Sequence, residues 1–119
     1  MGRLTTHVLD TAHGCPGAGI FVRLYGDAAA TARGTLICEM VTNKEGRCEV
    51  PLLAGEKMRT GRYMLAFDVA AYFRGKGVAL TDPPFLENVR IHFGIASAET
   101  NYHVPLLISP YAYSTFRGT

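Results

Sequence analysis

Hydrophobic and polar residues alternate with a period of two along most of this chain. Between residues 4 and 10, Leu4, Thr6 and Val8 share one side of an extended segment, while Thr5 and His7 share the other. Because successive side chains of a β-strand point to opposite faces, this alternation predicts a strand with one buried face. The same pattern predicts further strands at residues 20–25, 36–42, 47–53, 62–68, 88–95 and 102–109, and a last strand from residue 111.

Turn-forming sequences separate these strands, at residues 11–17, 26–34 and 43–46. Only residues 69–74 favour a helix, with Asp68 placed as its N-cap and Gly75 placed to end it. Many short strands with one helical turn predict an all-β sandwich. The length of 119 residues predicts a single domain spanning residues 1–119.

Composition narrows the classes of function. Charged residues make up 18% of the chain, against about a quarter in average globular domains. The charge-poor surface therefore suggests that copies of the chain cover part of it. A net charge of +2 without a basic block argues against nucleic-acid binding, and no apolar run is long enough to span a membrane.

The cysteines indicate neither a disulfide framework nor a zinc site. Cys15, Cys38 and Cys48 form no Cys-x-x-Cys motif. Cys38 and Cys48 could face each other on neighbouring strands, or could be small core residues. No secretory signal pattern is present, so a reducing, cytoplasmic location is the default expectation.

Two histidines and an arginine are candidates for acid–base chemistry. His7 lies on the polar face of the first predicted strand, and His103 immediately precedes an apolar strand that would hold its ring. Arg47 follows a tight turn, and its guanidinium suits a planar anion or carbonyl. Each could instead be an ordinary solvated residue, as we expect for His13 and His92. No metal-ligand spacing is present, so the set fits metal-free proton transfer and oxyanion stabilisation.

The C-terminal segment, residues 109–119, is unusually rich in aromatic and hydroxyl side chains for a chain end. It follows the apolar run of residues 104–108, which predicts a docked tail that holds Arg117 and Thr119 in defined positions. A short polar stub after an edge strand is the alternative.

Segments in a fixed order resemble the transthyretin-related 5-hydroxyisourate hydrolase family. They are residues 4–11 (LTTHVLDT), 42–47 (TNKEGR), 63–73 (ending FDVAAYF) and 101–107 (NYHVPLL), with the tail. The resemblance implies a transthyretin-like β-sandwich of about eight strands in two sheets with one short α-helix. It also implies a homotetramer, a dimer of dimers with active sites between the dimers.

The reaction that the resemblance implies is hydrolysis of 5-hydroxyisourate, the product of urate oxidation, to 2-oxo-4-hydroxy-4-carboxy-5-ureidoimidazoline. No metal or cofactor takes part. The implied catalytic residues are His7, Arg47, His103 and Thr119. The substrate contacts expected with them are Arg47, Tyr113, Phe116, Arg117 and Gly118. Which histidine is the general base stays open.

The tail departs from the family pattern, which typically ends Tyr-Arg-Gly-Ser. Phe116 keeps the ring but lacks the phenol hydroxyl, and Thr119 keeps the hydroxyl but adds a methyl group. Two other functions are possible: a transthyretin-like carrier of small aromatic ligands, or a self-associating module without chemistry. Transthyretin does not keep the His7, Arg47 and His103 set, so its presence here favours the enzyme.

Overall fold

Two β-sheets form the molecule in the computed structural model, which describes residues 1–29 and 32–119. Within those residues the strands and helices are β1 Arg3–Asp10, β2 Cys15–Pro16, β3 Phe21–Gly26, β4 Thr35–Val41, β5 Leu53–Ala54, a 3₁₀ turn Gly55–Lys57, β6 Gly61–Asp68, α1 Val69–Gly75, β7 Asn88–Ile95, β8 Tyr102–Ile108 and β9 Tyr113–Thr115. The predicted all-β sandwich with one short helix is confirmed. Of the predicted loop at residues 26–34, Ala30 and Thr31 lie outside the described residues.

The strand order places the two ends of the chain side by side. The first sheet runs β2-β1-β8-β9, with β5 also pairing with β1, and the second runs β4-β3-β6-β7. Strands β1 and β8 are parallel, with Thr5 opposite His103 and His7 opposite Pro105. The remaining named pairs are antiparallel. This one parallel pair brings the first and last predicted motifs together.

Alternation along β1 separates core from surface as predicted. Leu4, Thr6, Val8 and Asp10 are buried, whereas the odd-numbered residues between them are partly accessible. The apolar members pack into a core that both sheets share. The opposite face of β1 is therefore free to carry polar side chains.

The predicted strand at residues 47–53 is wrong over most of its length. Arg47 forms one isolated bridge with His7, the chain then bends, and only Leu53–Ala54 pairs with β1. Pro51 lies in the middle of this stretch and has no N–H to donate to a ladder. The turn at residues 43–46 therefore leads the chain from the second sheet to the first.

Asp68 does not cap α1 with its side chain, so that prediction is also wrong. Its carboxylate accepts hydrogen bonds from Asn88 and from Arg23 Nη1, the latter at 3.3 and 3.4 Å. The N–H groups of Val69 and Ala70 instead donate to the carbonyl of Glu87, each at 3.1 Å. The main-chain carbonyl of Glu87 thus accepts the first N–H groups of the helix, and the Asp68 carboxylate binds side chains of other strands instead.

Candidate active site

The candidate site occupies the outer face of the first sheet, where four chain segments lie side by side. Thr5 and His7 project from β1, and His103 projects from β8 beside Thr5. Arg47 forms an isolated β-bridge with His7, beside β1. Gly118 forms an isolated β-bridge with His103, beside β8. Neighbouring strands are about 4.8 Å apart, so residues distant in sequence meet on one small surface.

A cavity of about 260 Å³ lies on this surface. Three of the four predicted catalytic residues line it, namely Arg47, His103 and Thr119. The other lining residues are Arg3, Thr5, Thr6, Cys48 and Val50. Sequence reasoning missed Arg3 and Thr5, although the alternation along β1 places both on the same face as His7.

Contacts of the ring and of the main chain hold His103 in place. Its Nδ1 lies 2.8 Å from the Thr5 hydroxyl oxygen, and its main-chain carbonyl accepts the Gly118 N–H at 2.8 Å. Burial, the nearby Arg47 guanidinium and His7 lower the pKa of His103. The imidazole therefore stays neutral at pH 7 and can accept a proton.

His7 lies beside the cavity and does not line it. Its Nε2 is 3.0 Å from the carbonyl oxygen of Glu45. Because a carbonyl only accepts, Nε2 must carry the proton. The neutral His7 ring therefore keeps its lone pair on Nδ1.

The turn that presents Arg47 is tightly held. The side-chain oxygen of Asn43 accepts the N–H groups of Glu45 at 2.9 Å and of Arg47 at 3.1 Å. Gly46 has a φ of +78°, and an added Cβ would lie 2.3 Å from the Val8 carbonyl oxygen. Only glycine fits there. The sequence NKEGR is thus the structural reason that Arg47 sits beside β1.

The tail is docked against β8. Thr115 donates its hydroxyl to the Pro105 carbonyl at 2.7 Å, and Thr119 reaches the cavity. The Arg117 guanidinium carbon lies 4.2 Å from the centre of the Tyr102 ring, and Nη2 donates to the Asn101 carbonyl at 3.3 Å. Arg117 therefore fastens the tail by cation–π and hydrogen-bond contacts.

Three of the predicted substrate contacts, Tyr113, Phe116 and Arg117, lie away from the cavity. Phe116 and Arg117 line a separate apolar cleft of about 370 Å³ beside β7. Tyr113 and Phe116 are about half exposed, at 47% and 56%. The structure brings only Arg47 and Gly118 of that predicted set next to His103. The substrate roles of the other three stay predictions.

The cysteines are all free thiols. Cys48 lines the cavity, and burial, reinforced by Cys38, raises its pKa to about 11. It is therefore protonated at neutral pH and is a poor nucleophile.

Among the described residues no cluster of His, Cys, Asp or Glu could hold a metal ion. In the same part of the chain no helix is long and apolar enough to cross a membrane.

The two-sheet topology and the polar cavity on the first sheet define a transthyretin-like protein whose sheet surface is equipped for acid–base chemistry. Comparison with known protein families supports the transthyretin-like fold. A model described as the HIUase/Transthyretin family matches residues 4–118, and the chain belongs to that family. The resemblance seen in the sequence segments is confirmed.

Similar proteins cover the whole chain. The 5-hydroxyisourate hydrolase of Pseudomonas aeruginosa is 56% identical over 119 residues, which are 100% of this chain and 93% of that protein. The crystal structure of (S)-allantoin synthase matches with a TM-score of 0.91 and 40% identity, over 99% of this chain and 44% of that longer chain. Sea bream transthyretin in complex with thyroxine matches with a TM-score of 0.84 and 25% identity, over 98% and 95% of the two chains.

Proposed function

We propose that this protein is an enzyme that hydrolyses 5-hydroxyisourate to 2-oxo-4-hydroxy-4-carboxy-5-ureidoimidazoline, a step of urate catabolism. The observation that carries the proposal is the meeting of Arg47, His103 and Thr119 around one cavity, with His7 beside it. The name of the Pseudomonas aeruginosa relative supports the same activity.

The cavity suits a small, planar, anionic substrate. Arg3 and Arg47 both line it, and none of the described residues around it is an Asp or Glu. The guanidinium groups attract an anion and offer paired donors to ring oxygens. Burial first, and then the charge of Arg47, lowers the pKa of His103, so the guanidinium that would attract the substrate also favours the neutral form of the base.

His103 is the proposed general base. Its Nδ1 is engaged by Thr5, which leaves Nε2 to take a proton from water as the water oxygen bonds to a ring carbonyl carbon. Arg47 stabilises the resulting oxyanion. The carbon–nitrogen bond of the ring then breaks, and the proton on Nε2 passes to the leaving nitrogen.

His7 and Thr119 orient the reactants. With Nε2–H of His7 directed to Glu45, its Nδ1 lone pair can accept an N–H of the substrate. The Thr119 hydroxyl orders the attacking water. These roles would explain why two histidines and a terminal hydroxyl accompany one arginine.

We also propose that the enzyme works as a homotetramer, with the cavity facing another subunit. Val50, Tyr113 and Phe116 are large apolar residues exposed by 57%, 47% and 56% on the side of the first sheet or its tail. Water-exposed apolar surface of this kind is typical of association sites. Sedimentation equilibrium measures the oligomeric state directly, and a monomer at micromolar concentration would contradict this part of the proposal.

Three free cysteines support a reducing, cytoplasmic location.

The test is decay of freshly generated 5-hydroxyisourate, followed by ultraviolet absorbance with the spontaneous rate subtracted. His7→Asn and His103→Asn should each lower turnover at least about a hundredfold, the usual scale of general acid–base catalysis. The matched control is His92→Asn, because His92 is exposed on β7 and lies outside the cavity. Near-normal activity of both site variants, with their thermal unfolding unchanged, would refute the roles proposed for the two histidines, and no turnover by the wild type would refute the proposed activity. Tight binding of a small aromatic ligand without turnover would favour the carrier instead.

A further inference from the structure

The hydroxyl of Thr5 is the side-chain partner of the His103 ring. Thr5 and His103 stand opposite each other in the parallel pair of β1 and β8. The Thr5 hydroxyl and His103 Nδ1 are 2.8 Å apart and partly buried. Among the described residues no other side chain lies within hydrogen-bond distance of either group, and the Thr5 main chain also contributes a hydrogen bond to the His103 ring.

The contact fixes which way the ring faces. A rotation of the imidazole by 180° would exchange Nδ1 with Cδ2 and Nε2 with Cε1. Only the observed orientation gives Thr5 a nitrogen partner, and its opposite edge, at Cδ2, packs towards Gly118 and Pro105. The flipped ring would place a carbon where the reactive Nε2 belongs.

The chemical type of the partner also matters. A carboxylate bound to Nδ1 would stabilise the imidazolium and make the histidine a stronger base that is protonated at higher pH. A hydroxyl is neutral and can either donate to Nδ1 or accept from Nδ1–H. It holds the ring without adding charge. Burial, Arg47 and His7 lower the pKa of His103, and a main-chain hydrogen bond of Thr5 opposes them only in part.

We propose that Thr5 is a positioning residue of this enzyme, whose hydroxyl holds the His103 ring with Nε2 available to the reacting water. During the reaction Thr5 accepts the Nδ1–H, so that the Nε2 lone pair is free to take the proton. When Nε2 has been protonated, the same Nδ1–H bond persists in the imidazolium, and no rearrangement is needed. The inference rests on the proposed function and adds to it a residue and the tautomer of the base.

The test compares Thr5→Val, Thr5→Ser and the control Thr11→Val. Valine keeps the shape of threonine and removes the hydroxyl, whereas serine keeps the hydroxyl. Thr11 donates its hydroxyl to the Ile108 carbonyl at 2.9 Å, next to β1 but outside the cavity. Thr5→Val should lower kcat by about ten- to a hundredfold, the scale of a small misplacement of a reacting group. Thr5→Ser should restore most of it, and Thr11→Val should leave it unchanged.

A second readout does not depend on turnover. Nitrogen-15 NMR of His103 distinguishes Nδ1–H from Nε2–H, and we expect Nδ1–H to predominate in the wild type and a mixture of tautomers in Thr5→Val. Wild-type kcat together with an unchanged tautomer in a folded Thr5→Val variant would overturn the inference. A predominant Nε2–H form in the wild type would overturn it as well. If instead the wild-type protein does not accelerate 5-hydroxyisourate decay above the spontaneous rate, the proposed function fails, whatever the tautomer.

Discussion

Replacing Gly118 by alanine adds one methyl group beside the proposed base. The new Cβ would lie 2.8 Å from His103 Cδ2 and 3.0 Å from Pro105 Cγ. Carbon atoms that are not bonded prefer about 3.5–4.0 Å, so the shortfall is about 1 Å. Neither neighbour yields easily, because Thr5 holds one ring and proline is rigid. A displacement of about 1 Å in a catalytic group can cost about a hundredfold in rate.

The backbone itself tolerates this substitution, because φ at Gly118 is outside the left-handed region. The matched control is Gly75→Ala at the end of α1, where an added Cβ meets no atom within 4 Å. Both variants should fold, Gly75→Ala with a melting temperature close to that of the wild type and Gly118→Ala with a lower one, because the added methyl group strains the contacts with His103 and Pro105. The 5-hydroxyisourate assay should then show a loss of about a hundredfold for Gly118→Ala and none for Gly75→Ala. Equal activity of the two folded variants would refute the reasoning that Gly118 is required by the position of His103.

Three further predictions concern charge. Arg47→Gln should raise the pKa of His103, as measured by NMR titration, although burial will still hold it below the ordinary value; no change would mean that Arg47 exerts no field there. Arg3→Gln should raise KM severalfold at nearly constant kcat, because a cavity-lining cation that only attracts the substrate acts on binding; a large fall in kcat would contradict this. Burial by itself raises the pKa of Asp10, but hydrogen bonds led by Tyr72 at 2.7 Å more than offset it, so the net pKa is lowered. The ionised Asp10 carboxylate therefore stabilises the folded state. This contribution to stability is fully present above the ordinary carboxyl pKa and is lost as the pH falls through the lowered pKa. Tyr72→Phe should therefore cost about 1.5–3 kcal/mol at neutral pH and should move acid unfolding, followed by circular dichroism, to higher pH.

Local pattern predicted the strands well where one rule was sufficient. Alternation along β1 correctly placed Thr5 and His7 away from the core, and the glycine of the NKEGR turn was correctly assigned to a tight bend. The strand expected after Arg47 failed, because the chain changes sheet there and Pro51 cannot pair. A periodic pattern carries no information about which sheet a segment joins.

Tertiary contacts explain why the predicted Asp68 helix cap is wrong. Asp68 has the right position for a helix cap, but Arg23 and Asn88 occupy its carboxylate. The guanidinium of Arg117 stacks on Tyr102, a contact that the sequence did not suggest, and its predicted contact with the substrate stays a prediction. None of these three partners is close in sequence to the residue that it engages. The parallel pairing of β1 with β8, which creates the contact between Thr5 and His103, is likewise a long-range choice that no local signal specifies.

The parallel pairing of β1 with β8 also affects how the protein folds during its synthesis on the ribosome. Thr5 and His103 are 98 positions apart, so β1 leaves the ribosome long before its central neighbour has been translated. Until β8 has been made, the edge of β1 lacks the strand that it pairs with, and its apolar face lacks part of the core that covers it. Such long-range pairing is slow, and it leaves the nascent chain open to wrong associations. Activity would therefore appear abruptly, when the last strands close on the first one, and partly synthesised chains would have none.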